Sequence, residues 1–436
     1  MSGTVAFATL GCRLNQVDTQ EMQARLEARG FRTVPFEEPA DVVVVNSCTV
    51  TARADFSDRQ MVRRAARQHP GARVVVTGCW AQTSPAEAVA TGADLVVGNT
   101  DKHRIDALIE ALVTDAERAT RVAVSDLAAT GVMPVAPLGR TTGRSRAFLK
   151  VQEGCQHRCA FCIVPRARGV SRSHDPEVVV DQVRRLVGAG HPEVVLTGVD
   201  LGHYGADLAP PTTLAALLRR IVEIDGLRWV RLSSVLPAYF TPALIDVVTG
   251  SPRIAPHLHV PLQSGSDRVL RRMHRPYNVR LYRDVAERLV AGIPDLGLGT
   301  DLIAGFPGES EEDFADTLRV VDDLPFSYLH VFAYSDRRDT EAAALPDHVP
   351  AATVTRRSAR LRARSDDKAC AFRRALVGRS VDALVLETRD RATGGLVALT
   401  GNDVDVVFDG PDSLMRRLVR LRVTAAGEER ARGEIE

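Results

Sequence analysis

The sequence predicts a mixed α/β fold in three parts: a parallel α/β domain, a central partial (βα)6 barrel and a small β-barrel at the carboxyl terminus. Short β-branched runs alternate with helical stretches over residues 4–113 and again over residues 147–332, which is the pattern of parallel sheets covered by helices. Strand-like runs without helices between them begin near residue 381, and a Pro- and Gly-containing linker occupies residues 131–143. We place the domains at residues 1–115, 141–370 and 371–436.

The composition is that of an ordinary globular protein, with 436 residues of which 45% are hydrophobic and 25% charged. The net charge of +1 gives the whole molecule no strong attraction for phosphate, so any affinity for nucleic acid must come from local patches. The amino terminus lacks the basic and apolar regions of a signal peptide, and no apolar run approaches ~20 residues. We therefore expect a cytoplasmic protein that does not enter a membrane.

Three cysteines follow strands of the amino-terminal domain. The predicted strands are residues 5–10, 42–46, 74–78 and 95–97, and the predicted helices are residues 16–29, 55–68, 85–90 and 102–112. Cys12, Cys48 and Cys79 come directly after the first three strands, and the carboxyl ends of parallel strands share one edge of a sheet. Each could be a small buried hydrophobic residue, but three equivalent positions favour one metal cluster.

The central series has six strand–helix units and predicts a partial barrel whose active face lies at the carboxyl ends of the strands. The predicted strands are residues 147–151, 193–197, 229–232, 257–260, 297–303 and 328–332. The predicted helices are residues 176–189, 214–224, 242–248, 279–291 and 311–322.

The first central strand leads into three cysteines in a C-x3-C-x2-C spacing, Cys155, Cys159 and Cys162. Three thiolates this close can hold an iron–sulfur cluster and leave one metal open to a small molecule. A zinc site with His157 as fourth ligand, or a redox thiol pair, are the alternatives. Cysteines of a cytoplasmic chain are not expected in disulfides, and the seventh, Cys370, is expected to be inert.

The other strand ends carry glycines and small polar residues, which predict a polar pocket where a ligand can approach the backbone closely. The residues that we select there are Gly198, Asp200, Arg231, Ser233, Gln263, Ser264, Asp301 and Gly305.

The central cysteine spacing, with Phe161 before the third cysteine, resembles the radical S-adenosylmethionine (SAM) superfamily. Together with Cys12, Cys48, Cys79 and residues 154–165 and 259–267, it resembles the methylthiotransferases over nearly the whole chain. The resemblance implies two 4Fe-4S clusters, one on each cysteine triad. It also implies SAM at the open iron of the central cluster, in contact with the strand-end residues selected above.

The resemblance further implies two uses of SAM. One molecule donates a methyl group to sulfur at the amino-terminal cluster, and another is cleaved reductively to a 5′-deoxyadenosyl radical that activates a carbon–hydrogen bond. Family members modify an isopentenylated tRNA adenosine, a threonylcarbamoylated tRNA adenosine or an aspartate of a ribosomal protein. Residues 9–16 and 197–205 look most like the threonylcarbamoyl type. We therefore expect methylthiolation at C2 of N6-threonylcarbamoyladenosine 37.

The expected partners are the tRNA anticodon stem-loop and an electron donor of the flavodoxin or ferredoxin type, while the sulfur source stays open. A basic helix at residues 356–374 could contact phosphates or form a solvated face. The final strands resemble a TRAM domain, an RNA-binding appendage of the family; they are predicted at residues 381–386, 396–400, 404–408 and 418–423.

Three places depart from the family pattern: Arg166, Leu236 and residues 333–340. They put a role of those side chains in substrate contact in doubt but leave both cysteine triads intact. The competing hypothesis from another functional class is a non-catalytic RNA-binding protein with structural metal sites.

Overall fold

The computed structural model describes residues 3–115, 119–127, 133 and 145–436. The predicted linker at residues 131–143 lies outside the described residues except for Met133. Within these ranges, no helix has the length and apolar character needed to cross a membrane.

The amino-terminal domain is a six-stranded sheet in the order β2-β1-β3-β4-β5-β6, with every pair parallel. Its strands are β1 Thr4–Thr9, β2 Arg32–Val34, β3 Val42–Ser47, β4 Arg73–Gly78, β5 Leu95–Val97 and β6 Arg121–Ala123. Its helices are α1 Arg13–Ala28, α2 Ala52–Gln68, α3 Cys79–Thr83, α4 Pro85–Val89 and α5 Ile105–Thr114. Two apolar clusters cover the two faces of this sheet, so β3 is buried on both sides. Its four consecutive valines suit a strand that is buried in this way. The three-residue edge strands β2 and β6 were not predicted.

The central domain is the predicted partial barrel of six parallel strands, in two sheets ordered β11-β10-β7 and β12-β13-β14. Its strands, with a small hairpin of β8 and β9, are β7 Ala147–Lys150, β8 Gln152–Glu153, β9 Arg172–Ser173, β10 Glu193–Thr197, β11 Trp229–Leu232, β12 His257–His259, β13 Gly297–Ala304 and β14 Tyr328–Ala333. Its helices are α6 Val164–Arg168, α7 Pro176–Gly188, α8 Leu214–Ile221, α9 Pro242–Gly250, α10 Asp267–Arg272, α11 Val279–Gly292 and α12 Glu311–Asp323. Backbone hydrogen bonds from Val230 to Arg253 and from Val235 to His259 join the two sheets. The largest apolar core lies between these strands and helices.

The carboxyl-terminal part begins with a 25-residue helix, α13 Ala351–Ala375, and ends in a closed barrel ordered β15-β16-β17-β19-β18. The strands are β15 Ser380–Arg389, β16 Leu396–Thr400, β17 Asp405–Phe408, β18 Leu418–Ala426 and β19 Ala431–Ile435. Strand β19 was not predicted. Its sequence is ARGEI, in which three of the five residues are glycine or charged and so interrupt an apolar pattern. The predicted domain boundary at residue 370 falls inside α13.

Several cations of α13 contact the central barrel. Arg357 is buried and contacts the carboxylates of Glu309 (2.7 Å) and Glu311 (2.9 Å). Arg364 pairs with Asp322 at 3.1 Å, and the Lys368 ammonium donates to a carbonyl of the same region. These cations therefore fasten α13 to the central barrel, while other arginines of the helix, such as Arg362 and Arg374, are exposed.

Two contacts between domains position the site. Helix α1 packs against the barrel through Val17, which clusters with Phe148 and Val195. The turn between β16 and β17 lies at the amino-terminal ends of the barrel strands, where a Cβ on Gly297 would collide with the Asn402 carbonyl. One end of the barrel is thus covered by the carboxyl-terminal domain, and the cysteine loop occupies the other.

Candidate active site

The structure brings Cys12, Cys48 and Cys79 together at one edge of the amino-terminal sheet. Cys12 precedes α1, Cys48 follows β3 and Cys79 opens α3. Gly11, at φ +88°, permits the close approach, since a Cβ there would lie 2.6 Å from the Cys48 sulfur. Burial and, less strongly, the negative charges of the Cys79 and Cys12 thiolates raise the pKa of the Cys48 thiol to about 12.

Asn15 organises the loops of this triad. Its side-chain amide donates to the carbonyls of Leu10 and Ser47, each at 2.8 Å, and so ties together the segments that carry Cys12 and Cys48. The Asn46 amide donates in turn to the Asn15 carbonyl at 2.8 Å. Sequence analysis missed Asn15, although its position three residues after Cys12 was available as a signal.

Cys155, Cys159 and Cys162 lie in the loop between β8 and α6. Gly154, at φ +74°, starts this loop where any Cβ would collide with the Val170 carbonyl. Burial raises the pKa of Cys155 to about 12 and that of Cys162 to about 11, and the neighbouring thiols add to both shifts. The Arg275 guanidinium donates to the Cys159 sulfur at 3.0 Å.

Both triads fit a thiolate-bound metal cluster. Thiols whose pKa is raised by burial, as at Cys48, Cys155 and Cys162, become thiolates when a cationic metal binds them. At the central triad, Nε2 of His157 is hydrogen-bonded to the Tyr239 hydroxyl at 2.9 Å, which leaves Nδ1 as the one ring nitrogen that a metal could take. That hydroxyl also donates to Asp200 at 3.0 Å.

Two of the selected strand-end residues, Asp200 and Ser233, suit a ligand beside the central cysteine loop. The Asp200 carboxylate lies 3.8 Å from the Cys155 sulfur, and its backbone N–H donates to Gln152 at 2.8 Å. A Cβ on Gly198 would lie 2.8 Å from the same Gln152 side chain. The Ser233 hydroxyl is buried and has no hydrogen-bond partner in the described part of the chain, which leaves it available to a bound polar molecule.

The remaining selected residues have other neighbours. Gln263 adopts φ +69° and its N–H donates to the Asp301 carbonyl, while the Asp301 carboxylate faces His259 (3.1 Å) and a further histidine of β14. The Ser264 hydroxyl is turned towards Thr317 of α12. The Gly305 N–H donates to Glu309, below α13. Ser264 and Gly305 are therefore turn residues, and each of them faces a helix.

Arg231 requires a correction. We expected it to contact the cofactor, but its guanidinium is fully buried at the opposite end of the barrel. It donates to the Glu193 carboxylate at 2.7 Å and to the Gly401 carbonyl at 3.0 Å. Because both faces of a buried strand carry similar residues, the sequence did not reveal the direction of this side chain. Arg231 anchors the β16–β17 turn beneath the barrel.

A buried network of charges joins the two cysteine sites. The Arg168 guanidinium, six residues after Cys162, donates to Asn15 (2.6 Å) and Asp18 (2.9 Å) and also pairs with Glu153. Lys150 pairs with Asp18 at 2.7 Å, and Lys102 pairs with the same carboxylate at 2.8 Å. These cations hold the pKa of Asp18 well below its usual range against the opposing effect of burial.

The departures from the family pattern also have defined places. Arg337 donates to the Thr49 hydroxyl (2.6 Å) and to Asp55 (2.7 Å), so residues 333–340 clamp the loop that carries Cys48. Arg166 forms an exposed pair with Asp339 at 3.0 Å. Leu236 is half-buried at the end of the loop after β11.

Family models match two segments of the chain. The model described as "Uncharacterized protein family UPF0004" matches residues 4–98, which include the first cysteine triad. The model of the radical SAM superfamily matches residues 149–321, which include the second triad.

Curated relatives match nearly the full length. The threonylcarbamoyladenosine tRNA methylthiotransferase MtaB of Bacillus subtilis (strain 168) is 38% identical over 97% of this chain and 94% of its own. The protein of the same name from Aquifex aeolicus (strain VF5) is 39% identical over 93% of this chain and 97% of its own. A tRNA-2-methylthio-N(6)-dimethylallyladenosine synthase of Frankia alni is 38% identical over 89% of this chain and 79% of its own.

Among solved structures, the chain resembles the radical S-adenosylmethionine methyltransferase TsrM from Kitasatospora setae with cobalamin and a 4Fe-4S cluster bound. The TM-score is 0.59 at 16% identity, over 79% of this chain and 77% of that one. At this level of identity the likeness shows the fold alone.

Proposed function

The chain belongs to the radical-SAM tRNA methylthiotransferases, and we propose that it attaches a methylthio group to C2 of N6-threonylcarbamoyladenosine 37 in tRNA. Family membership makes the protein an enzyme of this class that uses SAM and a 4Fe-4S cluster. The choice of nucleoside is supported by the similarity to the B. subtilis and A. aeolicus proteins, which are named for threonylcarbamoyladenosine.

The observation that carries the proposed chemistry is the connection of two cysteine triads by one network of side chains, from Asn15 through Arg168 to Glu153. Sulfur insertion needs one centre for the sulfur and another for activation of the carbon. The C2–H bond of a purine is too weakly acidic for an ordinary side-chain base, so proton abstraction cannot start the reaction.

We propose that Cys155, Cys159 and Cys162 hold the cluster that binds SAM, and that Cys12, Cys48 and Cys79 hold a second 4Fe-4S cluster. When bound, the central cluster and SAM supply the radical chemistry that such a bond requires. The chain's own contribution there is to hold Cys159 by Arg275 and to keep Asp200 oriented by the Tyr239 hydroxyl. Gly198, Asp200, Ser233, Gln263 and Asp301 remain the proposed SAM contacts.

A second candidate substrate is N6-isopentenyladenosine 37, which is supported by the 38% identity to the F. alni dimethylallyladenosine synthase. No observation favours a ribosomal-protein aspartate. The non-catalytic RNA-binding hypothesis is set aside, because the curated relatives over the full length are enzymes.

Nucleoside analysis of tRNA tests the proposed substrate. In a deletion strain, mass spectrometry should show loss of 2-methylthio-N6-threonylcarbamoyladenosine and accumulation of its precursor without the methylthio group. The wild-type gene should restore the product, and a Cys79→Ala gene should not. Unchanged product in the deletion strain would refute the proposal, and loss of the methylthiolated isopentenyladenosine instead would favour the second candidate.

The anticodon stem-loop as RNA partner, and a flavodoxin or ferredoxin as electron donor, belong to the same proposal. The target base must leave the anticodon-loop stack to be reached, at a cost of a few kcal/mol. A cytoplasmic location stays a prediction.

A further inference from the structure

A cavity of about 270 Å³ lies where the three domains meet. Arg13 of α1, Tyr328 and His330 of β14, Arg373 of α13 and Asp403 before β17 line it. Its volume is slightly below the roughly 300–1,000 Å³ that small-molecule sites occupy. The cavity is separate from the central cysteine loop, but Arg13 directly follows Cys12 of the amino-terminal triad.

Arg13 is the cation of this cavity that is free to bind an external anion. Its side chain is exposed and forms no hydrogen bond or ion pair with any residue of the described ranges. Arg373, in contrast, donates to the carbonyls of Gly427 (3.1 Å) and Glu428. A guanidinium without an internal hydrogen bond, facing a cavity, can recognise a carboxylate by two parallel hydrogen bonds.

The acidic groups of the cavity are engaged or exposed. Asp403 lies 3.5 Å from Arg231 and 3.6 Å from His257, and Asp405 lies 3.4 Å from Arg430. Burial opposes the ionisation of Asp403, but His257, Arg231, Arg146 and Arg13 together lower its pKa to about 2. Glu429 is exposed to solvent, which screens its charge. Arg13 therefore interacts electrostatically with Asp403 but keeps its hydrogen-bond donors for an external anion.

His330 supplies a second polar group with a fixed direction. Its Nδ1 lies 3.4 Å from the Asp301 carboxylate, and its ring contacts Tyr328 with centroids 5.0 Å apart. The side chain is nevertheless 53% exposed. With Nδ1 directed at Asp301, Nε2 remains available to a hydroxyl or carbonyl group of a ligand.

We propose that this cavity binds the threonylcarbamoyl side chain of the substrate adenosine, with Arg13 paired to its carboxylate and His330 contacting its hydroxyl or carbonyl oxygens. This inference rests on the proposed function and makes Arg13 the residue that determines specificity. An isopentenyl group carries no charge and no hydrogen-bonding atom, so it would leave the Arg13 guanidinium without a partner. Because Arg13 follows Cys12, a side chain held there lies beside the triad proposed to supply sulfur.

The test compares three anticodon stem-loop RNAs that differ only at position 37, carrying threonylcarbamoyladenosine, isopentenyladenosine or unmodified adenosine. Binding to the full-length, cluster-reconstituted protein is measured by fluorescence anisotropy, and product formation by mass spectrometry. The variants are Arg13→Gln, Arg13→Lys and, as control, Arg63→Gln, an exposed arginine of α2 outside the cavity. Thermal unfolding of each variant checks that it is folded.

Arg13→Gln should weaken binding of the threonylcarbamoyl RNA roughly 10- to 100-fold, the usual effect of losing a charged hydrogen bond. Binding of the other two RNAs should stay unchanged, Arg13→Lys should recover part of the loss, and Arg63→Gln should match wild type. An equal loss for all three RNAs would mean that Arg13 contacts an RNA phosphate, and this would overturn the inference.

The wild-type protein tests the proposed function, and the Arg13→Gln variant tests the inference about the cavity. If the wild-type protein modifies the isopentenyl RNA and not the threonylcarbamoyl RNA, the proposed function and this inference are both refuted. If the wild-type protein modifies the threonylcarbamoyl RNA and Arg13→Gln binds it equally well, only the inference is refuted.

Discussion

Asp18 and Lys150 form a buried ion pair between the two cysteine domains. The Lys150 ammonium lies 2.7 Å from Asp18, 3.0 Å from Glu21 and 3.2 Å from Glu153. A lysine can serve three carboxylates in different directions, whereas the planar arginine fork is suited to one or two. The chain contains only three lysines among 56 basic residues, and two of them bind Asp18.

Lys150→Met should destabilise the domain contact by about 3–5 kcal/mol, because it leaves buried carboxylates without their cation. Lys368→Met is the matched control, since the Lys368 ammonium donates to backbone carbonyls near the surface and leaves no buried carboxylate behind. Chemical unfolding of the metal-free proteins, followed by circular dichroism, measures both. Equal stability of the two variants would contradict the role assigned to Lys150.

At the scale of elements, the loop between β8 and α6 depends on its backbone conformation as much as on its thiols. Gly154 reverses the chain with a positive φ, and the Cys155 N–H donates to the Gly169 carbonyl at 2.9 Å. The loop continues into α6, whose Ala167 carbonyl accepts a hydrogen bond from Asn99 of the first domain at 2.7 Å. One short element thus carries the central cysteines and touches the neighbouring site.

Gly154→Ala should displace this loop, because the added Cβ meets the Val170 carbonyl at a positive φ that costs about 1–2 kcal/mol even without a collision. The control is Gly188→Ala, at the end of α7, where an added Cβ meets nothing within 4 Å. Iron content after anaerobic reconstitution and the melting temperature report the effect. Gly154→Ala should lose iron and melt lower, while Gly188→Ala should do neither; normal iron loading of Gly154→Ala would contradict this account.

At the scale of the whole molecule, the amino- and carboxyl-terminal domains contact the barrel from different sides. Helix α1 packs along β7, Arg337 clamps the Cys48 loop, and the β16–β17 turn covers the amino-terminal ends of the strands. The two triads therefore belong to different domains that are held in one arrangement by side chains. Each triad is nevertheless complete within its own domain.

This arrangement predicts that the two clusters load independently. Anaerobically reconstituted wild-type protein should contain roughly eight irons per chain, four for each cluster. Cys48→Ala and Cys159→Ala should each retain roughly four, while Cys370→Ala, outside both triads, should retain eight. Iron analysis and electron paramagnetic resonance measure how many clusters each protein holds. Roughly four irons in the wild-type protein would rule out the second cluster.

Local pattern determined the order of strands and helices, the parallel central sheet and the placement of both cysteine triads after strands. Such features depend on the periodicity of apolar residues and on turn residues, which are local properties of the chain. The short edge strands β2 and β6 were not predicted, because three residues are too few to show a periodic pattern of apolar residues. The convergence of Cys12, Cys48 and Cys79 was predicted because the carboxyl ends of parallel strands meet at one edge of a sheet.

Only the tertiary structure decided where individual side chains point. It turned Arg231 to the far end of the barrel, joined Arg168 to Asn15 across 153 positions of sequence, and placed Arg13 and His330 in one cavity. These relations depend on how whole domains pack, and a strand buried on both faces carries no alternation that would tell one direction from the other. The sequence by itself therefore determined the class of chemistry, and the packing of three domains decided which charged groups surround it.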